Sequence, residues 1–176
     1  MKNRKTMIAY AVFIFILLLL ALYLYYSYVI QGQKQEESTA ILKAKQTAGL
    51  AATDKTWKSV WTETYWVVEG TDAENRKIMV WVPFQTVEDG ADIPQQGTQG
   101  VHSELLQNGV SEEQIRTAII SANPDLEIVR LLPGVFNGEY VWQLFYKSNN
   151  SYFYQFYKFA DGSPVGNPFQ LPNTLQ

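Results

Sequence analysis

Residues 139–159 have the sequence EYVWQLFYKSNNSYFYQFYKF and indicate the fold of this chain more clearly than any other segment. Two aromatic runs, 139–147 and 152–159, flank the polar segment SNNS at 148–151. Aromatic residues favour strands, and Asn in a short polar segment between two such runs favours a tight turn. The segment is therefore predicted to form an antiparallel β-hairpin.

Side chains alternate between the two faces of each strand of this hairpin. On the first strand, one face carries Tyr140, Trp142, Leu144 and Tyr146, and the other carries Val141, Gln143, Phe145 and Lys147. One face must pack on a helix. The other face either exposes several large rings, as interaction surfaces do, or is covered by a neighbouring unit, and the sequence leaves both alternatives open.

A helix is predicted upstream of the hairpin. The segment SEEQ at 111–114 has the capping-box pattern, with a Ser cap followed three residues later by Gln. An apolar stripe at helical spacing follows in 115–122, and Asn123-Pro124 ends it. Residues 126–132 then form an apolar, strand-like run that is expected to end at Pro133-Gly134.

A similar group of elements precedes this one, although the two do not match residue by residue. Residues 33–52 have a helical composition with an apolar stripe, and 57–69 are rich in Trp, Tyr and Val. Residues 70–75 indicate a turn, and 76–84 alternate as a strand. Helix, strands, turn and strand thus occur twice, which predicts an α+β fold with each helix packed on a curved antiparallel sheet.

The N-terminal residues indicate a membrane anchor. No residue from Thr6 to Gln33 is charged, and the apolar stretch 7–30 is long enough to cross a bilayer of about 30 Å as a helix. Lys2, Arg4 and Lys5 precede it, so the positive-inside rule predicts a cytoplasmic N-terminus. A cleaved signal peptide is disfavoured because the run exceeds an ordinary apolar core and no small-residue cleavage site follows it.

The predicted organisation follows from these patterns. The residues between the two units, 85–109, are polar and rich in Gly, so we expect a loop with a short helix at 101–107. The predicted parts are a basic head at 1–6, a transmembrane segment at 7–30, a first unit at 33–92, a linker at 93–110, a second unit at 111–170 and a tail at 171–176.

Composition excludes several kinds of function. The chain has no cysteine and one histidine, which excludes disulfide scaffolds, thiolate zinc sites and sites that need two imidazoles. After the basic head, 11 basic and 17 acidic side chains give a net charge of −6. A body of this charge is a poor binder of nucleic acid, which requires clustered cations.

The candidate chemical motifs are weak. His102-Ser103-Glu104 contains the residue types of a nucleophile and a base, but adjacent side chains rarely face each other, so we interpret His102 as a loop residue. The acidic residues in 88–92, and Asp72 with Glu74, lack the spacing of a calcium loop and are interpreted as solvated.

The chain resembles the cell wall elongation regulator TseB-like (YpmB-like) family of Gram-positive bacteria. The resemblance extends over the basic N-terminus, the single span and two PepSY-like units. It rests on the segment GVSEEQ at 109–114 with its helix, the hairpin, the Asp161-Gly162 turn and the segment WVP at 81–83. It implies cystatin-like α+β units, no enzymatic activity, and a role in lateral wall synthesis through association with a class B penicillin-binding protein.

We therefore expect a non-catalytic, membrane-anchored protein that requires no cofactor or metal and binds a membrane-anchored penicillin-binding protein. Nucleic acid and small-molecule substrates are not expected partners. The candidate contact residues are aromatic: Trp57, Trp61, Trp66, Trp81, Trp142, Tyr152 and Tyr154. One alternative is a PepSY-type inhibitor or regulator of extracytoplasmic proteases. Another is an enzyme or carrier that acts on wall glycans, which predicts a concave pocket with convergent carboxylates.

Overall fold

The structure is a computed structural model that describes residues 2–61, 63–84 and 100–172. The predictions for the acidic run 88–92, for the linker before residue 100 and for the tail after residue 172 lie outside these residues. The chain divides into two compact units, Met1–Thr39 and Ala40–Gln176.

The first helix, α1, spans Lys2–Ala48 and includes both the predicted membrane span and the helix predicted after it. Its segment Val12–Ala48 contains a stretch with a mean hydropathy of 2.3 that is not buried in the protein, so α1 is a candidate membrane-spanning helix. The helix ends before Gly49, whose positive φ of 66° and N–H bond to the Lys45 carbonyl terminate it. The predicted end at residue 52 is therefore too late, because Leu50 already begins a strand.

The first sheet, sheet 1, has four antiparallel strands in the order β1-β2-β3-β4. Their bounds are Leu50–Val60 for β1, Thr64–Asp72 for β2, Lys77–Pro83 for β3 and His102–Leu105 for β4. The expected helix at 101–107 is wrong: His102–Leu105 pairs with Ile78–Trp81 of β3, and only Leu106–Asn108 forms a short 3-10 turn. This pairing provides the backbone N–H and C=O groups of β4 with hydrogen-bond partners on β3, and no local sequence pattern predicts it.

The second sheet, sheet 2, follows the capped helix α2, which spans Glu112–Ala122. It has four antiparallel strands in the order β5-β6-β7-β8. Their bounds are Glu127–Phe136 for β5, Glu139–Ser148 for β6, Ser151–Lys158 for β7 and Pro164–Gln170 for β8. The described part of the chain is thus a mixed α+β structure with an N-terminal apolar helix and two antiparallel sheets, as predicted at this level.

Two local predictions are confirmed in detail. The Ser111 hydroxyl accepts a bond from the Gln114 N–H, and the Gln114 side chain accepts one from the Ser111 N–H, so the capping box is complete. Strands β6 and β7 form the predicted hairpin, and Asn149 and Asn150 both have positive φ, as a two-residue turn of type I′ requires.

Strand β5 differs from the prediction because it continues through Pro133-Gly134 instead of ending there. It is an edge strand of sheet 2, where a proline without an N–H is tolerated. The small Gly134 also allows β1 of sheet 1 to approach β5, since a Cβ at this position would collide with the Gln143 amide and the Ser59 hydroxyl.

Sheet 1 is covered on both faces. On one face, Ala40 and Ala44 of α1 pack with buried residues of β2 and β3 such as Trp66 and Val80. The other face joins a second core with α2 and sheet 2, which contains Val67, Met79, Trp81, Ile115, Ile119, Leu131, Val135, Trp142, Leu144 and Phe159. The two sheets therefore share one hydrophobic core within the unit Ala40–Gln176.

Candidate interaction surface

Three of the candidate aromatic contact residues lie in the interior. Trp66, Trp81 and Trp142 are each at most 2% exposed. The Trp81 indole N–H donates to the Gly134 carbonyl at 3.2 Å, and that of Trp142 donates to the Val110 carbonyl at 2.8 Å. Side chains that are this deeply buried stabilise the fold and offer no surface to a partner, so the interaction hypothesis is restricted to the other candidates.

Trp57 is half-buried and packs against the shared core. The Lys55 ammonium lies 5.8 Å from its ring centroid and 3.9 Å from a carboxylate oxygen of Glu112 on α2. Trp57 therefore lies where sheet 1 meets α2, apart from the other exposed candidates.

The remaining candidates converge on one face of sheet 2. Trp61, at the end of β1, makes edge-to-face contacts with Tyr154 and Phe156, with ring centroids 4.9 Å apart in both pairs. Phe145 of β6 stacks on Tyr154 at 4.8 Å and on Tyr152 at 5.5 Å. We call the group Trp61, Phe145, Tyr152, Tyr154 and Phe169 the aromatic surface.

This aromatic surface is accessible among the described residues. Trp61 is 38% exposed, Tyr152 41% and Phe169 48%, while Phe145 and Tyr154 are half-buried. Adjacent large rings with partial exposure are typical of interaction surfaces, because rigid aromatic side chains bury much area with little loss of entropy.

The sequence left open whether the second face of the hairpin is exposed or covered by the neighbouring unit. In the structure this face is covered in part: Val141 and Phe156 are buried, whereas Trp61, Tyr152 and Phe169 remain accessible.

Gln143 fixes Trp61 on this face. Its side-chain oxygen accepts the Trp61 indole N–H at 2.8 Å, and its amide nitrogen donates to the hydroxyl of the buried Ser59. One amide of β6 thus joins Ser59 of β1 to Trp61, the residue that follows β1, and it holds the Trp61 ring against Phe156.

His102 contacts aromatic rings instead of a nucleophile. Its ring stacks on Tyr140 at 4.0 Å with an interplanar angle of 6°, and its Nε2 lies 3.1 Å from a carboxylate oxygen of Glu104. Burial, together with the Glu104 carboxylate, raises the pKa of Tyr140. Because Ser103 lies between them on a strand, its side chain points to the opposite face of β4. The interpretation of His102 as a loop residue is wrong, since it lies on a strand and joins the two sheets.

One surface depression in the described part has three carboxylates in its lining, and two of them, Asp72 and Glu74, are bridged to Arg76. The third is Glu104. Burial by itself would raise the pKa of Asp72, but hydrogen bonds from the Arg76 backbone and guanidinium lower it below its usual value, so this carboxylate stays ionised. That behaviour is the opposite of what a general acid requires. No group of three metal-ligating side chains is found among the described residues.

Sequence reasoning missed two rings of this surface, Phe145 and Phe169, and four polar or charged residues that shape it. Gln143 and Ser59 are ordinary polar residues in strands, and their pairing depends on a contact between positions far apart in sequence. Arg130 and Lys147 flank the rings from β5 and β6. For Lys147 a signal existed, because the hairpin turn places it opposite Tyr152 in the ladder.

Comparison with known proteins gives two matches. Residues 39–83, from the end of α1 through β3, match the model of the cell wall elongation regulator TseB-like domain. The fold is similar to that of the YpmB protein from Bacillus subtilis, with a TM-score of 0.60 and 23% sequence identity, over 76% of this chain and 96% of that one. No curated protein sequence matches at a significant level. The family match and the shared fold together confirm the resemblance of this chain to the TseB-like (YpmB-like) family.

Proposed function

We propose that this protein is a non-catalytic, single-span membrane protein that binds and regulates a peptidoglycan synthase, a class B penicillin-binding protein, during cell wall elongation. In this proposal the basic head lies in the cytoplasm, and the two sheets form cystatin-like, PepSY-like units outside it. The description of the family as a cell wall elongation regulator and the candidate membrane-spanning helix support this assignment.

The aromatic surface is the observation that carries the binding role. It presents Trp61, which follows β1 of sheet 1, together with Tyr152 and Tyr154 of β7 on one accessible face, while Phe156 of the same strand β7 is buried. An anchor in the same membrane as the partner would raise the effective concentration of this surface, so even a modest affinity would be sufficient for regulation.

Site-specific photo-crosslinking in living cells tests the proposal. Replacing Tyr152 by p-benzoylphenylalanine places the photoreactive group on the aromatic surface. The same replacement at Ile120, which is exposed on α2, is the matched control. We expect an adduct with a peptidoglycan synthase from position 152 and none from position 120. Absence of a synthase at 152 contradicts the proposal, and an adduct with a secreted protease would favour the protease-regulator alternative.

The membrane orientation has a separate test, because the chain contains no cysteine and single substitutions give a clean background. Ser121→Cys, on the exposed side of α2, is expected to react with a membrane-impermeant maleimide in intact cells, whereas Asn3→Cys is expected to react only after lysis. The reverse labelling pattern would contradict the proposed orientation.

A further inference from the structure

We infer that the aromatic surface binds a segment of a partner protein in which carboxylate side chains lie next to apolar ones, and that Arg130 and Lys147 recognise the carboxylates. The inference deepens the proposed function and rests on it for the identity of the partner. It adds the chemistry of the bound segment and two recognition residues that lie beside the rings.

The strand register places these groups in rows across sheet 2. Arg130 of β5 is paired with Phe145 of β6, Phe145 with Tyr154 of β7, and Tyr154 with Phe169 of β8. With strands about 4.8 Å apart, this row is about 14 Å long. Since side chains of paired residues project to the same face, the four form a continuous line that begins at a cation and continues through three rings.

A second, shorter row runs beside the first. Lys147 is paired with Tyr152, and its ammonium lies 6.0 Å from the centroid of the Tyr152 ring. On the β5 side, Lys147 is paired with the exposed Glu127, but no salt bridge joins these two. The aromatic surface therefore has a cation at the β5 side of each row.

The Arg130 guanidinium is held in place but keeps donors free. Its central carbon lies 5.9 Å from the Phe145 centroid, and one terminal nitrogen donates to the Tyr154 hydroxyl at 3.2 Å. A guanidinium has five N–H donors, so most of them are available to a carboxylate. The hydrogen bond to Tyr154 and the contact with the Phe145 ring restrict its rotamers, which reduces the entropy lost when a carboxylate binds.

Several cations of the described sheets have carboxylate partners, whereas no salt bridge among the described residues includes Arg130 or Lys147. Lys77 is bridged to Asp54 at 2.8 Å, and Lys158, on the same face of sheet 2, to Glu139 at 3.4 Å. Arg130 and Lys147 instead contact the rings of the aromatic surface, and their charges are available to a ligand that binds there.

The net negative charge of the residues after position 33 favours a short peptide segment as the partner over a nucleic acid or an anionic membrane. Beyond residue 33 the chain carries 17 acidic and 11 basic side chains, so it is repelled by a polyanion or by an anionic membrane. Binding of those partners requires a cluster of several cations. Two cations among large rings are instead complementary to a short segment that has one or two carboxylates and apolar neighbours.

The test measures binding of the full chain in neutral lipid nanodiscs to two probes, a purified peptidoglycan synthase and a random-peptide phage library. Arg130→Gln and Lys147→Gln remove one charge each and leave the rings, and Tyr152→Ala removes a ring. Lys45→Gln, on the exposed side of α1, is the matched control for charge. We expect selected peptides to contain Asp or Glu beside apolar residues. Each of the three surface variants should weaken binding at least about tenfold, with no effect from the control.

The outcomes separate this inference from the proposed function. If the synthase binds and Tyr152→Ala weakens it while Arg130→Gln and Lys147→Gln do not, the carboxylate inference is overturned and the proposed function stands. A second outcome is that the synthase does not bind, that the library yields acidic peptides, and that Arg130→Gln no longer binds these peptides. In that case the inference stands and the proposed partner is wrong. Binding to anionic vesicles that depends on Arg130 would overturn the assignment of the surface to a protein segment.

Discussion

The indole N–H of Trp61 donates a hydrogen bond of 2.8 Å to the side-chain oxygen of Gln143, although the two residues are 82 positions apart in the sequence. This bond attaches the end of β1 to β6 and sets the angle at which the Trp61 ring stands on sheet 2. The Gln143 amide also donates to the Ser59 hydroxyl. The position of Trp61 on the aromatic surface therefore depends on the side chain of Gln143, which is not one of the rings of that surface.

Gln143→Leu is expected to lower the free energy of unfolding by about 1–3 kcal/mol, because it leaves the buried Ser59 hydroxyl and the Trp61 N–H without their partner. Denaturant unfolding of the full chain in detergent micelles, followed by tryptophan fluorescence, measures the change. Gln170→Leu makes the same substitution at an exposed position of β8 and should change stability by no more than about 0.5 kcal/mol. Equal effects of the two would contradict the role of Gln143.

Gly134→Ala is expected to separate β1 from β5, since the added Cβ would meet the Gln143 amide and the Ser59 hydroxyl. The cost of such overpacking is about 1–3 kcal/mol. Gly32→Ala, which has open space around it on α1, is the control and should leave the unfolding midpoint of the sheets unchanged. A stable Gly134→Ala variant would show that this close approach is not required.

Trp142→Ala is expected to destabilise the protein by about 3–5 kcal/mol, because it removes a buried ring from the shared core and leaves the Val110 carbonyl without its donor. The matched aromatic control is Tyr152→Ala on the exposed face, where a loss below about 1 kcal/mol is expected. In the synthase-binding assay, Tyr152→Ala should weaken binding. Trp142→Ala should retain binding when it is measured at a temperature where the variant remains folded.

Ser111→Ala removes the hydroxyl that accepts the Gln114 N–H in the α2 capping box, but it keeps the Ser111 backbone N–H that donates to the Gln114 side chain. The lost cap is expected to cost about 0.5–2 kcal/mol. Ser121→Ala, at an exposed position near the other end of α2, should be neutral or slightly stabilising, because Ala has the higher helix propensity. Hydrogen exchange of the first turn of α2 provides a local readout, and unchanged protection in Ser111→Ala would contradict the capping role.

Acid should destabilise the wild type partly through Asp72. The hydrogen bonds from Arg76 hold its pKa below the unfolded value of about 3.9, so the ionised carboxylate stabilises the folded state at higher pH. This contribution is lost as the pH falls from about 5 through the lowered folded pKa. Asp72→Asn should therefore be less stable than wild type at neutral pH and should lose less stability on acidification. Asp125→Asn is the control, because Asp125 is exposed and no salt bridge among the described residues includes it. Parallel pH profiles of Asp72→Asn and wild type would contradict this expectation.

Local patterns were sufficient for much of the fold. The Asn149-Asn150 turn and the Ser111 cap act within a few residues of themselves, so their geometry is encoded where they occur in the chain. Strand β4 was missed because its four residues have no strand pattern of their own, and only pairing with β3 makes them a strand. The extension of β5 through Pro133 was missed for a related reason: a proline is compatible with a strand only at an edge, and the sequence does not state which strand is at the edge.

The sequence by itself determined the apolar helix, the charge division, the hairpin and the two-faced alternation of its rings. Only the tertiary structure decided which face is covered, and therefore that Trp81 and Trp142 are core residues while Trp61 and Tyr152 are on the surface. Alternation has a period of two and separates the side chains into two sets, but it does not state which set meets another element. That choice depends on contacts between residues distant in the sequence, such as Trp61 with Gln143 and Trp81 with Gly134.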